Sequence, residues 1–421
     1  MTSALLTSAL LTSALPTAHK APIMPQLLKS PPKPQTPPVA PQPIAPWNSF
    51  KTLGLWMFFW LFLVDVGINL LFPFPTEVNP TPSNLTRYFD YGRSIEGKLN
   101  RMVQESAANS DAIIDSGWLD PESWENLPQA PQGDDDLLVA GYGMSYLYDA
   151  MQALAEVDGN ITMRDIGGPS APPNHSWAAF KADTQRQNAD VVMIGILASS
   201  INRMNSLSGL SWTYEHPSPY TYPYYYLNQK NELAAIAPVI TTADDFVDAF
   251  NRKDDNWQQL QTQMKQYDQA FDPFVFHHNL SDRSAIIRLI RRGWASRARS
   301  IGEKSLFTPE SGFNPEAPEI KTLKAILTEF VTQVKDADQT PVILLLNNQG
   351  YGSSLYDVLA EHVNSLDALI VSTHEIVPAE DPKNFLGGSH FTPEANRKIG
   401  KVLQTKIRAE HPHKQAQEES K

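Results

Sequence analysis

The chain has 421 residues, no cysteine, 42% hydrophobic and 19% charged residues, and a formal net charge of −12. Disulfide frameworks, thiolate metal sites and cysteine nucleophiles are thereby excluded, while the apolar content suffices for a packed core. The acidic balance argues against a nucleic-acid binder, which works by neutralising phosphates.

Eleven of the 34 prolines fall in residues 1–46, and a Thr-Ser-Ala-Leu-Leu run repeats every five residues from Thr2. Neither stretch has a buried-face periodicity, and the proline run favours extended polyproline II, so 1–46 reads as a disordered cytoplasmic arm. Leu53 to Phe72 is apolar and long enough to cross a hydrocarbon core of about 30 Å, and Pro73 and Pro75 stop it. Lys20, Lys29, Lys33 and Lys51 precede it with no acidic residue among them. The positive-inside rule then puts the N-terminus in the cytoplasm and everything after the span outside it, in the periplasm if the host is bacterial. Residues 47–75 read as a single-pass membrane anchor. Asp65 and Asn69 share one face of that helix. A carboxylate in a membrane costs a few kcal/mol, so Asp65 reads either as a contact with another membrane protein or as snorkelling to the outer boundary.

Residues 76–133 read as a helical and loop lead-in, 134–410 as an α/β domain and 411–421 as a disordered tail. Leu137–Ala140, Ile161–Ile166, Asp190–Leu197, Pro341–Leu346 and Ala368–Val371 are short apolar strands. Helical stretches separate them, from Tyr146 to Glu156 and in the stripes Leu323, Ile326, Leu327, Phe330, Val334 and Leu355, Val358, Leu359, Val363. Continuous apolar strands alternating with helices predict a parallel sheet covered on both faces, with chemistry at the carboxyl ends of the strands. The segment at about 205–335 has little strand character and reads as a helical insertion. Within it Ile286, Ile290 and Trp294 mark an amphipathic helix carrying Arg283, Arg288, Arg291 and Arg292. These arginines read as a solvated face paired to nearby acids, or as a surface for an anionic polymer or lipid headgroup. The aromatic stretch Trp212, Tyr214, Tyr220, Tyr222, Tyr224, Tyr225 and Tyr226 reads as ordinary packing or as a sugar-stacking surface.

Two segments could carry chemistry: Val139-Ala-Gly-Tyr-Gly-Met-Ser-Tyr146 after the first strand, and Asp381 to Arg397, with His390, before the last helix. A serine hydroxyl becomes a nucleophile when an imidazole takes its proton, and glycine-rich turns let backbone N–H groups converge on an oxyanion. Ser145 also reads as the N-cap of the helix beginning at Tyr146. His374, Glu375, Glu380, Asp381 and His390 are dense but fit no metal-ligand spacing, and the sequence calls for no metal and no cofactor.

These segments resemble the SGNH or GDSL hydrolases over roughly residues 134–200 and 341–407. Ser389-His-Phe-Thr-Pro-Glu-Ala-Asn396 looks like the family's last block, whose histidine is the general base. Ile166-Gly-Gly-Pro-Ser170 resembles the second block, with Gly167 or Gly168 as the oxyanion glycine. Gly195 to Ser200 falls where the third block would lie, but its asparagine is missing and Ser200 stands in the cleft position. Laid on Gly141-Tyr-Gly-Met-Ser145, the first block puts Gly143 at the nucleophile; a frame shifted by two puts Ser145 there. The family's aspartate three residues before the histidine is Gly387 here, leaving Asp381 or Glu380 to orient His390, or no carboxylate at all.

The resemblance implies a flavodoxin-like three-layer sandwich with a mainly parallel five-stranded sheet. It also implies a membrane-anchored ester hydrolase or acyltransferase acting on extracytoplasmic glycan or lipid esters, with a membrane acyltransferase as partner. The missing family residues imply the alternative, a catalytically inactive relative that binds glycan or scaffolds a membrane export or modification complex.

Overall fold

A computed structural model describes residues 46–73, 83–106, 113–133, 135–387 and 390–412. The proline-rich arm to residue 45, the tail beyond 412 and Ser389 lie outside the described residues. By its contacts the chain divides between Trp56 and Met57, and residues from Met57 onward form one unit.

The first described element is helix α1 (Pro46–Leu71), whose stretch Phe50–Leu71 has a mean hydropathy of 1.8 and is exposed along its length. It is long and apolar enough to cross a membrane.

The centre of the following unit is a five-stranded, wholly parallel sheet. Its strands are β1 (Leu137–Gly143), β2 (Ile161–Gly167), β3 (Val191–Leu197), β4 (Thr340–Leu346) and β5 (Leu369–Ser372). Their order is β5-β4-β3-β1-β2, the doubly wound order of flavodoxin-like folds. Every residue of β1 and β3 is buried, because helices cover both faces. On one face α2 (Ser145–Val157) and α7 (Pro393–Glu410) pack with Leu137, Val139, Val191 and Leu344. On the other, α3 (Pro173–Ala182), α5 (Pro318–Asp336) and α6 (Ser354–Val363) pack with Leu138, Ala140, Ile194 and Ile343. The strands extend up to three residues beyond the expected ones at their carboxyl ends. Gly141, Tyr142 and Gly143 continue β1 because a buried parallel strand needs no apolar side chain where a helix packs directly on its backbone.

The insertion is smaller than the sequence pattern suggests. Helix α5 lies within 205–335 but shares a hydrophobic cluster with Ile343 and Leu345, so it is a covering layer of the sheet. The remaining segment forms its own core with the lead-in. Ile95, Leu99 and Trp118 pack with Tyr214, Tyr220, Tyr222, Phe246, Phe250, Trp257 and Phe276. Trp212, Tyr214, Tyr220, Tyr222 and Tyr225 are buried, and Tyr224 stacks on Tyr226 and Tyr267, so this stretch is packing. A hairpin, Tyr224–Leu227 with Leu233–Ile236, supplies strand structure where little was expected.

Helix α4 (Ala285–Leu306) carries the arginine cluster. Arg288 and Arg291 are buried, and Arg291 pairs with the buried carboxylate of Asp282. Arg292 pairs with Glu215 at 2.7 Å. Asp65 is engaged within this chain: its carboxylate accepts the Ser284 hydroxyl and the Ile286 N–H, each at 2.9 Å, at the N-terminus of α4. Asn69 Oδ1 accepts Arg288 Nη2–H at 3.0 Å. A carboxylate at a helix N-terminus meets unsatisfied N–H groups and the positive end of the helix dipole.

Beneath β1 and β2, Arg164 makes a fully buried bidentate pair with Asp183 (2.7 and 2.8 Å), and Asp183 also accepts the Tyr142 hydroxyl at 2.7 Å. Asp183→Ala leaves the guanidinium buried without its partner and should cost about 3–5 kcal/mol, read as a lowered urea midpoint. In the insertion, burial pushes the Asp268 carboxyl from 3.8 up to about 7. The folded chain then holds a proton that the unfolded chain releases near pH 4. Stability from this group is full below that value and lost as pH rises through about 7. Urea midpoints of the parent protein should therefore fall between about pH 5 and 8 more steeply than those of Asp268→Asn.

Candidate active site

The order β2-β1-β3 makes the carboxyl end of β1 the topological switch point, where the following connections diverge to opposite faces and leave a crevice. Ser145 stands there. Helix α2 begins one residue earlier than the sequence predicts, with Met144 in extended conformation as a cap that contributes no side-chain bond. Ser145 is thus the first helical residue rather than the cap, and its hydroxyl is not spent on the backbone. Three glycines let α2 start so close to the sheet. A Cβ on Gly141 would lie 2.0 Å from Met151 Sδ, one on Gly143 2.7 Å from Leu147 Cδ2, and one on Gly195 2.9 Å from Leu147 Cβ. Gly143 is therefore a packing glycine under Leu147, and the nucleophile position of the shifted frame, Ser145, is the one that presents a side chain.

His390 arrives from the far end of the chain on a tight loop. Phe385 and Phe391 form a bridge, Leu386 N–H donates to the His390 carbonyl at 2.7 Å, and Thr392 N–H to the Asn384 carbonyl at 2.8 Å. Thr392 then caps α7, accepting the Ala395 N–H, with Pro393 at the first helical position. The imidazole stacks on the buried ring of Tyr146, centroids 4.5 Å apart and 24° between planes, with Phe391 edge-on to the same tyrosine.

This places His390 Nε2 at 3.1 Å from Ser145 Oγ and Nδ1 at 2.8 Å from Asp149 Oδ2. With Asp149 accepting the Nδ1–H, Nε2 is left as the acceptor for the serine proton. Ser145 and Asp149 are four residues apart, so one face of α2 supplies both ends of the array and the histidine bridges them. The three groups are partly exposed, with His390 and Asp149 side chains at 38% and 32%.

Asp149 stands where the sequence pointed to Asp381 or Glu380. Asp381 instead accepts the Lys383 N–H and caps a short 3₁₀ turn, away from the imidazole nitrogens. Ser200 is also elsewhere: it is buried, and its hydroxyl donates to the Leu197 carbonyl at 2.7 Å, closing the turn after β3. Gly168 follows β2, where a Cβ would lie 3.1 Å from Gly117 Cα and 3.3 Å from His175 Nε2. The loop it opens is tied down from two places: Tyr220 of the insertion donates to the Pro169 carbonyl and Arg203, in the turn after β3, to that of Ser170, both at 2.7 Å. His175 donates Nε2–H to the Gly117 carbonyl at 2.7 Å, and burial lowers its pKa to about 4, so it is a neutral structural histidine. Among the described residues no cluster of His, Asp and Glu has a metal-binding arrangement.

The array depends on α2 packing against α7. Leu147, Met151 and Leu154 meet Ile399, Leu403 and Ile407 in one cluster, and Arg408 makes a bidentate pair with Asp158 at 2.7 and 2.9 Å. At the crossing Gly400 lies against the α2 backbone, where a Cβ would be 2.7 Å from the carbonyl carbon and oxygen of Ala153.

No protein-family model matches the chain, and no curated protein is similar to it. A 2.00 Å crystal structure of a Bacteroides fragilis protein, provisionally described as an acylhydrolase, is similar over 69% of this chain and 94% of its own. The identity is 10% and the TM-score 0.34. Similarity at that level carries no inference about this chain, whose fold assignment rests on strand order and register.

Gly400→Val should force α7 away from α2. We expect about 1–3 kcal/mol of destabilisation from the overpacked crossing, measured by urea unfolding. Parent-like stability would mean that the two helices do not set each other's position.

Proposed function

We propose that the protein is a membrane-anchored, SGNH-like serine ester hydrolase or acyltransferase in which Ser145 is nucleophile, His390 general base and Asp149 the carboxylate that orients it. The observation that carries this reading is the continuous chain Ser145 Oγ–His390 Nε2 at 3.1 Å and His390 Nδ1–Asp149 Oδ2 at 2.8 Å, at the carboxyl end of a parallel sheet.

In the proposed reaction Ser145 Oγ attacks the ester carbonyl as its proton passes to His390 Nε2. The carbonyl oxygen becomes an anion at the N-terminus of α2, where backbone N–H groups lack intrahelical partners and the helix dipole is positive. His390 returns the proton to the leaving alcohol oxygen, and the acyl group stays on Ser145. Water, or the hydroxyl of an acceptor, then repeats the sequence and releases the serine. Asp149 fixes the tautomer and stabilises the imidazolium without taking a proton. The substrate class proposed is an O-acyl ester of an extracytoplasmic glycan or lipid. Helix α1 supports the anchor, and the lysines before it support an outward-facing domain.

Turnover of p-nitrophenyl acetate by the full chain tests the assignment. Ser145→Ala and His390→Ala should each abolish it, and Asp149→Asn should lower kcat by about 10²–10⁴ while leaving the fold intact. Undiminished turnover in Ser145→Ala removes the nucleophile assignment, and parent-like kcat in Asp149→Asn removes the orienting one.

A further inference from the structure

Helix α4 buries one face in the insertion and leaves the other uncovered. Ile290, Trp294 and Ile301 are 58%, 54% and 61% exposed, and the neighbouring Leu280 78%. At helical spacing Ile290, Trp294 and Ile301 form one stripe with the exposed Arg297 and Lys304 on the same face, and the exposed Arg283 stands in the turn just before the helix. Among the described residues these three cations have no carboxylate partner, unlike Arg291 and Arg292, which have found theirs. Trp294 donates its indole N–H to Asp272 Oδ2 at 2.9 Å, which holds the ring on this face. That bond gives no reason to display Ile290 and Ile301 beside it among unpaired cations in a domain whose residues 76–421 carry 30 basic and 45 acidic side chains (30 − 45 = −15).

The N-terminus of this helix is held against α1. Asp65 caps it through Ser284 and Ile286, and Asn69 accepts from Arg288. Helix α1 has 26 residues, about 39 Å, and so exceeds a hydrocarbon core of about 30 Å. Asp65 lies six residues before its last one, Leu71, and a carboxylate bonded to a helix N-terminus belongs at the boundary of the core rather than within it. The same depth is then imposed on the half-buried Ile286 and, one turn on, on Ile290, which begins the exposed stripe.

We infer that α4 is an interfacial helix: its Ile290-Trp294-Ile301 stripe lies in the headgroup and upper acyl region of the bilayer that α1 crosses, with Arg283, Arg297 and Lys304 on lipid phosphates. The inference rests on the membrane-anchored reading above. Isoleucine and tryptophan at this spacing, edged by cations, have the composition of helices that lie in a membrane surface. Aromatic and basic residues next to a spanning helix have the same preference. The occupant of the stripe is lipid, because the capping bonds bring the stripe to the membrane helix itself. The C-terminal residue of α4, Leu306, packs in the cluster that contains Ala198 and Ile201 at the carboxyl end of β3. One continuous helix therefore connects the anchor to the edge of the sheet that carries Ser145, and lying flat it would hold that edge near lipid-borne esters.

The chain has no cysteine, so single thiol labels test this on the full protein. Ile290→Cys and Ile301→Cys report on the stripe, Ser296→Cys on another exposed face of α4, Glu361→Cys on the distant helix α6, and Phe58→Cys on α1. Each is labelled with an environment-sensitive fluorophore and reconstituted in vesicles of phosphatidylcholine and phosphatidylglycerol. Quenching is read from doxyl lipid and from aqueous iodide. Labels at 58, 290 and 301 should lose about half their emission to doxyl lipid and resist iodide, with 296 and 361 showing the reverse. Iodide quenching at 290 and 301 with lipid quenching at 58 overturns the interfacial helix and leaves the anchor standing. Iodide quenching at 58 overturns both. Protection of 290 and 301 from both quenchers assigns the stripe to a second copy of the chain and also overturns the inference.

Discussion

The contact between α2 and α7 is the constraint on which the rest of the structure depends. Two helices separated by more than two hundred residues approach until the backbone of one touches a glycine of the other, and the Asp158–Arg408 pair fixes the far end of the crossing. Because α2 carries Ser145 and Asp149 and the turn into α7 carries His390, one packing event assembles all three groups. The glycines at 141, 143 and 195 belong to the same event, since each removes a Cβ that would lift α2 off the sheet. Helix packing of this kind tolerates little change, because interiors are close-packed and a single added methyl must displace its neighbours.

The insertion serves the same site from the other side. Its own aromatic core is separate from the layers that cover the sheet, yet Tyr220 reaches out of it to hold the loop after β2, and Arg203 holds the same loop from the turn after β3. A loop whose carbonyls are bonded from two directions is a fixed neighbour of the carboxyl end of β1, where Gly143 pairs with Gly167. The two ends of α4 join this region to the apolar helix α1 and to the turn after β3. The molecule therefore links an apolar span, a buttressing layer and a sheet edge through side chains that can each be named.

Much of the fold is legible in the sequence. Five apolar strands and the stripes of α5 and α6 are visible because burial on both faces leaves continuous hydrophobic runs, and the strand order agrees with the doubly wound reading. The boundary of the insertion is not legible, because α5 has the same amphipathic pattern whether it covers the main sheet or a second core. The site is legible in part. Ser145 and His390 are marked by a glycine-rich turn after the first strand and by the Ser-His-Phe-Thr-Pro run before the last helix. Asp149 is missed because the family pattern directs attention to the residues before His390, although its place four residues after Ser145 puts it on the serine's own face. Asp381 and Ser200 are polar residues in loops at the right end of the sheet, and only the fold spends their side chains on local backbone. The contact of Asp65 is not legible for a related reason: a sequence shows a carboxylate in an apolar helix but not the helix N-terminus that meets it.

The most direct measurement of the central claim is the site and rate of fluorophosphonate labelling, followed by peptide mass spectrometry. A hydroxyl activated by an imidazole reacts where an ordinary surface serine does not. One adduct is expected, on Ser145, whose formation collapses in His390→Ala and slows in Gly400→Val as the two helices separate. An adduct on any other serine, or labelling of Ser145 at the same rate with and without His390, would contradict it.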